Sequence, residues 1–162
     1  ICYFSAGSSE SWRDDFKRFS KSDMGGPIAK DDKGSSYWQG EKWLNIKNPN
    51  PNSATLPVVW QIMRDRIKIA ADKGCNAIDP DNTDGYDNKN GIGLTEQDSI
   101  NYVKFMAAEA RKYNMSIGLK NSVQILPKVQ SVIQFAVNEE CAANGECGGY
   151  KQFLGSKPVF HI

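Results

Sequence analysis

Three carboxylates in this chain stand where a pair of acids can work on a bond. Asp79 and Asp81 fall two residues apart in Gly74-Cys75-Asn76-Ala77-Ile78-Asp79-Pro80-Asp81-Asn82-Thr83-Asp84-Gly85-Tyr86. That stretch is a short apolar run ending in acids, amides, a glycine and an aromatic. It is the pattern of a buried parallel strand that delivers polar side chains at its carboxyl end. The two-residue period of a strand puts Ala77, Asp79 and Asp81 on one side. Two carboxylates at one strand tip are costly unless they bind a charge or act on a substrate. The third acid is Glu139, which shares the parity of Phe135 and Val137, whereas Glu140 points the other way. Two carboxyl groups flanking a bond can divide the work of general acid/base chemistry, one giving a proton and one attacking or activating water.

Polar and aromatic residues cluster at the same strand tips. Lys120 ends an apolar run and can hold a carboxylate ionised or bind a hydroxyl oxygen. Asn82, Asn121 and Asn138 are hydroxyl partners or turn residues. Tyr3 and Ser5 share a parity at the first visible strand tip, Tyr86 can stack on a ligand or pack against a rim, and Trp38 is a loop aromatic suited to stacking. Trp12, with Phe16 and Phe19 at helical spacing, is expected in the core. Asp79, Asp81, Asp84 and Asp87 lie close together, but Thr83 and the late Gly85 break the acid–acid–acid–glycine order of an EF-hand.

The elements that must position these residues alternate. Ile1 to Ala6 reads as a strand, 20–40 as a surface loop, and Trp43 to Ile46 as a short strand. Val58 to Lys73 reads as a helix with the stripe Val59, Ile62, Met63, Ile67 and Ala70, stopped by Gly74. Thr95 with Asp98 forms an approximate capping box that opens a helix to about Tyr113, striped by Ile100, Val103, Ala107 and Ala110. Met115 to Leu119, Val132 to Val137 and Pro158 to Ile162 are strands, with short helices at 123–129 and 149–154. Three successive strands end in polar clusters, which fits a (β/α)8 TIM-barrel type better than a doubly wound sheet with one switch point. Neither GxGxxG nor a P-loop occurs. About six strands are visible where a closed barrel has eight, so the expectation is one barrel domain over 1–162 that lacks its first and last strands.

The composition agrees with a globular domain: 162 residues, 40% hydrophobic and 24% charged. A net charge of +1, from 20 basic and 19 acidic residues scattered along the chain, gives no electrostatic case for nucleic acid. No apolar segment reaches the roughly 18 residues of a membrane span. With no CxxC and one histidine, His161, neither a metal nor another cofactor is expected. Cys141 and Cys147 flank a flexible, glycine-containing segment and are expected to form a disulfide, which points to an oxidising compartment. The pairing of Cys2 and Cys75 is left open.

The runs Ile1-Cys2-Tyr3-Phe4-Ser5-Ala6-Gly7, Gly40-Glu41-Lys42-Trp43-Leu44-Asn45-Ile46, Asp79 through Tyr86, Ile117-Gly118-Leu119-Lys120-Asn121, and Ala136-Val137-Asn138-Glu139 through Cys141 resemble glycoside hydrolase family 114, the endo-α-1,4-polygalactosaminidases. Asp79 stands where the family more often carries Glu. The resemblance implies a (β/α)8 barrel, secretion, and hydrolysis of α-1,4-linked galactosamine polymers such as galactosaminogalactan. The family motif supports Asp81 and Glu139 as the pair, read here as nucleophile and general acid/base; the strand-tip residues Tyr3, Ser5, Asp79, Asn82, Tyr86, Lys120 and Asn138 are expected to bind substrate. Similarity to α-galactosidase-like barrels, with a nucleophile after the fourth strand and an acid/base after the sixth, implies a retaining outcome. Glu139, as the acid, is then expected in a drier or more negative place than Asp81. Asp79, Asp84, Asp87, Glu140 and Glu146 follow strand tips and would attract a partly cationic polymer. The expected partner is a galactosamine-rich polysaccharide bound by a monomer, without nucleic acid or membrane. The competing reading is a non-catalytic carbohydrate-binding barrel.

Overall fold

The computed structural model describes residues 1–28 and 38–162. Five parallel strands form the main sheet: β1 (Cys2–Ser5), β5 (Ala77–Asp81), β6 (Ser116–Lys120), β7 (Phe135–Asn138) and β8 (Val159–His161). Their spatial order, β1-β5-β6-β7-β8, follows chain order without reversal. A doubly wound sheet would reverse at a switch point, so this one-way winding is that of a barrel wall. β1 and β8 are the edges of the sheet. A small antiparallel sheet, ordered β2-β4-β3, comprises β2 (Ser8–Glu10), β3 (Met24–Pro27) and β4 (Glu41–Leu44) and caps the end of β1.

Two helices cover the sheet. α1 (Val58–Asp72) buries all five residues of its expected stripe and also Trp60 and Arg66. Gly74, at φ 78°, ends it, and Cys75 leads into β5. α2 (Glu96–Arg111) opens on the expected capping box: Asp98 N donates to Thr95 Oγ1 at 3.2 Å and Thr95 N to Asp98 Oδ2 at 2.9 Å. A cap contributes about 1 kcal/mol. Burying a large aliphatic side chain contributes about 1.5–3 kcal/mol, and Ile100, Val103 and Met106 are all buried. Packing, not the cap, therefore holds α2 in place. Tyr102, fully buried, donates its hydroxyl to the Ala6 carbonyl at 2.8 Å and ties α2 to the end of β1. The remaining helices are single turns: α3 (Leu126–Val129), α4 (Cys141–Asn144) and α5 (Lys151–Leu154). The inner face of the sheet carries its own small apolar cluster of Ala77, Phe135 and Val137.

Several boundaries differ from expectation. The loop expected over 20–40 contains β3, because Met24 pairs with Leu44 and Pro27 with Lys42; its part at 29–37 lies outside the described residues. The strand expected at Trp43 to Ile46 begins two residues earlier, at Glu41. β2 and α4 were not anticipated. Both are short elements whose conformation comes from pairing with β4 and from the Cys141–Cys147 bridge. Trp12 is 61% exposed, contrary to its core assignment; the turn at Asp14–Arg18 is a 3-10 helix, whose tighter period breaks the α-helical spacing. Both cysteine pairs form disulfides, Cys141–Cys147 as expected and Cys2–Cys75 in addition, with Cα atoms 4.9 and 6.0 Å apart. No helix among the described residues is long and apolar enough to cross a membrane.

Candidate active site

The polar ends of β5, β6 and β7 meet on Lys120. It closes β6, between Asp81 at the tip of β5 and Glu139 just past β7. Its ammonium lies 3.3 Å from Asp81 Oδ2 and 3.3 Å from Glu139 Oε1. The two contacts cap the separation of those carboxylate oxygens at twice 3.3 Å. The lysine is only 3% exposed. Burial opposes its charge, but the facing carboxylates of Asp81 and Glu139 outweigh that cost and raise its pKa.

Each carboxylate has further partners. Asp81 Oδ2 accepts the Tyr3 hydroxyl at 2.7 Å, and its Oδ1 accepts the Asn82 backbone N–H at 2.7 Å. Burial, then the bond to Asp81, pushes the Tyr3 phenol well above its ordinary pKa, so it remains a donor. The Lys120 ammonium also stands 5.5 Å from the Tyr3 ring centre, within cation–π range. Glu139 is gripped by Asn121 from two directions: Asn121 Nδ2 donates to its Oε2 at 3.2 Å, and its backbone N–H donates to Asn121 Oδ1 at 2.9 Å. Asn121 reaches both atoms from a left-handed backbone, φ 48°.

Asp79 lies deeper on the same face of β5, 8% exposed, with Oδ1 lacking a hydrogen-bond partner. Burial raises its pKa; Lys120 opposes this, while Asp81 and Glu139 reinforce it. Of the expectation that Glu139 sits in a drier or more negative place than Asp81, the drier alternative is reversed. Its side chain is 48% exposed against 15% for Asp81, because Glu139 stands beyond the last strand residue whereas Asp81 is inside β5 beneath Tyr3.

Three other residues assigned to the substrate have protein partners of their own, and of these Asn138 still lines a cavity beside Glu139. Ser5 is 2% exposed; its hydroxyl bonds Ser8 Oγ at 2.5 Å and accepts from Asn82 Nδ2 at 2.9 Å, because the chain folds back over it into β2. Asn138 is 3% exposed; its Oδ1 accepts the Cys141 N–H at 3.1 Å and its Nδ2 donates to Tyr150 Oη at 3.3 Å, so its amide shapes the turn into α4. Tyr86 packs against the main core, and its hydroxyl donates to Gln124 Oε1 at 2.8 Å. Asn82, at φ 60°, positions the tip of β5 through Ser5 and Ser8 while still lining the cavity.

Two cavities adjoin at Asp84, Asn121 and Glu139. One, about 250 Å³, holds Asp81 beneath the aromatics Tyr3, Trp38 and Trp43. The other, about 200 Å³, is lined by Asp87, Glu146 and Tyr150. Glu139 therefore stands at the junction, with Asp81 on one side only.

The family model for glycoside-hydrolase family GH114 matches residues 1–162. The chain belongs to glycoside-hydrolase family GH114. A GH114-like match among solved structures is Aspergillus fumigatus Ega3, crystallised in complex with galactosamine: 52% identity, TM-score 0.87, covering 100% of this chain and 59% of that one. The chain thus spans less than two thirds of that relative. The glycoside hydrolase domain of PelA from Pseudomonas aeruginosa shares the fold, with TM-score 0.58 at 10% identity, covering 98% of this chain and 64% of that one. No curated protein matches the chain.

Around this cluster stand residues outside the site assigned from the sequence. Glu41, on β4, accepts the Ser8 hydroxyl at 2.8 Å. Burial raises its pKa; the Ser8 bond opposes this, and Glu10 and Asp81 reinforce it. Asp84, noted only as a source of negative charge, borders both cavities and has its pKa pushed up to about 6 by burial, with Asp81 and Asp87 adding to the effect against its own backbone hydrogen bond. Arg66 donates to Asp15 through Nε at 2.8 Å and Nη2 at 2.7 Å, and to the Ser5 carbonyl at 2.8 Å. It is a buried arginine on the apolar stripe of α1, in phase with Val59 and Ala70, and that misplaced charge was the available signal. Among the described residues the one grouping with metal-ligand geometry is Cys141, Cys147 and His161, and its two sulfurs are bonded to each other.

Proposed function

We propose that the protein is a secreted glycoside hydrolase that cleaves α-1,4-linked galactosamine-containing polysaccharide with retention, residues 1–162 acting as one barrel-type domain and as a monomer. The observation that carries the reading is the shared ammonium of Lys120, which draws Asp81 and Glu139 to within twice 3.3 Å of each other at the polar end of the sheet. Retaining hydrolases hold their carboxyl groups about 5–5.5 Å apart and inverting ones about 6.5–9.5 Å. The cap touches only the lower edge of the inverting range, which leaves little room for a water behind the sugar.

In this reading Glu139 protonates the glycosidic oxygen at the junction of the two cavities while Asp81 Oδ2 attacks the anomeric carbon. Glu139, now ionised, then takes a proton from water, which cleaves the glycosyl ester. Tyr3 and Lys120 hold the Asp81 carboxylate in place. Asp84, Asp87 and Glu146 line the cavity beyond Glu139 and attract the partly cationic amines of the polymer. Galactosamine as the sugar is supported by the Ega3 complex at 52% identity, and secretion by the two disulfides.

Incubation with partially deacetylated galactosaminogalactan should release soluble oligomers whose first-formed reducing ends are α anomers by NMR. Glu139→Gln should slow turnover by roughly 10²–10⁴-fold, and Asp81→Asn by at least as much, both with polymer binding retained. Binding without release would favour a non-catalytic carbohydrate-binding barrel. A β anomer as first product would overturn the retaining mechanism.

A further inference from the structure

Asn114-Met115-Ser116 is an Asn-X-Ser triplet, and no other asparagine of the chain has Ser or Thr two residues on. Asn114 lies in the turn between α2 and β6, exposed, with a left-handed backbone at φ 56°. Its N–H donates to the Arg111 carbonyl at 3.0 Å, and its side-chain amide bonds nothing among the described residues. Met115, 6% exposed, is pinned into the core, and Ser116 opens β6 with its N–H on the Asn76 carbonyl at 3.0 Å. The acceptor amide therefore projects into water from a turn that is anchored immediately behind it. A large group attached there displaces no packed atom.

Two other features bear on the site. Both disulfides mark a chain that folds in an oxidising compartment, and Asn-X-Ser acceptors on secreted proteins are modified in that compartment. Asn114 also precedes the amino end of β6, whereas the groove lies past the carboxyl end, at Lys120. The length of the strand separates the two, so a glycan leaves the path of the polymer clear.

We propose that Asn114 carries an N-linked glycan in the secreted protein. The inference rests on the secretion proposed above, not on the chemistry of the groove. In the modification the Asn114 amide nitrogen attacks the anomeric carbon of a lipid-diphosphate-linked oligosaccharide. A carbon–nitrogen bond forms, the bond from that carbon to the diphosphate oxygen breaks, the lipid diphosphate leaves with the electron pair, and the amide proton passes to the transferase. No oxidation or reduction is involved.

The test is secretion of the full chain from a eukaryotic host, followed by intact-mass measurement before and after treatment with a peptide N-glycosidase. The expected result is a downward mass step of one glycan and conversion of Asn114 to aspartate in the mapped peptide. The step should vanish in both Asn114→Gln and Ser116→Ala and persist in Ser116→Thr. Oligomer release from the polysaccharide should be equal in wild type and Asn114→Gln, so a glycosylated but inactive protein would sink the hydrolase reading alone. A secreted protein whose Asn114 peptide is recovered unmodified, or a mass step that survives both Asn114→Gln and Ser116→Ala, would overturn the glycan proposal.

Discussion

Replacing Gly7 with alanine tests whether the junction of β1, β2 and β5 sets the position of Asp81, the proposed nucleophile. A Cβ at Gly7 would lie 1.7 Å from the Asn82 carbonyl oxygen and 2.6 Å from its carbonyl carbon. Ordinary contact starts at 3.4 Å, so the closer gap must double, and both sides of it are backbone. Three hydrogen bonds cross this junction: Ala6 N and Gly7 N donate to the Asp81 carbonyl at 2.9 and 3.0 Å, and Leu44 N donates to the Gly7 carbonyl at 2.8 Å. Overpacking costs about 1–3 kcal/mol, and a strained hydrogen bond forfeits up to about 1 kcal/mol of net stability. We expect Gly7→Ala to lose about 3 kcal/mol, a fall in Tm of about 6–12 °C for a domain of this size. A misplacement of about 1 Å at a reacting group can cost about 10²-fold in rate, and the displaced carbonyl belongs to Asn82, the residue that follows Asp81. Calorimetry and kcat on the polysaccharide read the two effects. Gly148→Ala is the control, because a Cβ there meets nothing within 4 Å, and it should leave both unchanged. If Gly7→Ala melts and turns over like the wild type, the junction yields without consequence and the steric argument fails.

The pKa of Asp84 is raised from 3.8 to about 6, so the folded state holds a proton that the unfolded chain has released. Stability from this group is fully present below the unfolded value and is lost as pH rises from 3.8 to about 6. Asp84→Asn should therefore melt with the wild type near the lower end of that window and above it at pH 7.5, by on the order of 1–3 kcal/mol. Lys120→Met strands two carboxylates without their cation. It should destabilise by about 2–4 kcal/mol at neutral pH, less than for a fully buried pair because Glu139 is half exposed, and the loss should shrink in acid on chemical denaturation. Removing the Cys2–Cys75 bridge, which closes a separation of 73 residues, should cost about 4 kcal/mol, against about 2 kcal/mol for Cys141–Cys147 with its separation of 6. Equal losses in the two double-serine variants would contradict the loop-entropy account.

What could be read from the sequence followed physical period. The stripes of α1 and α2, the strand at Ala77–Asp81 and the polar tips of β5, β6 and β7 all carry strong local patterns, and the structure places them as expected. Parity along β5 put Asp79 and Asp81 on one face, and Lys120 was correctly placed as a partner for a carboxylate. Parity says nothing about depth, however. Ser5 has the parity of Tyr3 yet lies buried, because β2 turns back over it through Gly7. Asn138 ends a strand, as Lys120 does, but its amide satisfies the backbone of α4. The exposure of Glu139 depends on where β7 stops. The Cys2–Cys75 pair depends on β1 pairing with β5 across 73 residues of chain, a contact with no local signal. Arg66 carried one, a charge on an apolar helix face, and Glu41 did not.

In the proposed mechanism, one cation shared by two acids also sets the electrical history of a turnover. Before the first proposed step the trio of Asp81, Glu139 and Lys120 comprises one carboxylate, one neutral acid and one ammonium. In the glycosyl ester Asp81 has given up its charge to a covalent bond and Glu139 has acquired one, so the sum is again zero. Charge is handed across Lys120, from one neighbour at 3.3 Å to the other at the same distance, and the ammonium need not follow it. The surrounding dipoles then face a nearly constant field at both stages, and the solvent beyond the groove has no net charge to re-solvate. An asymmetric lysine, close to one acid and far from the other, would favour one half of the cycle at the expense of the other. The equal distances are those of a site balanced for both.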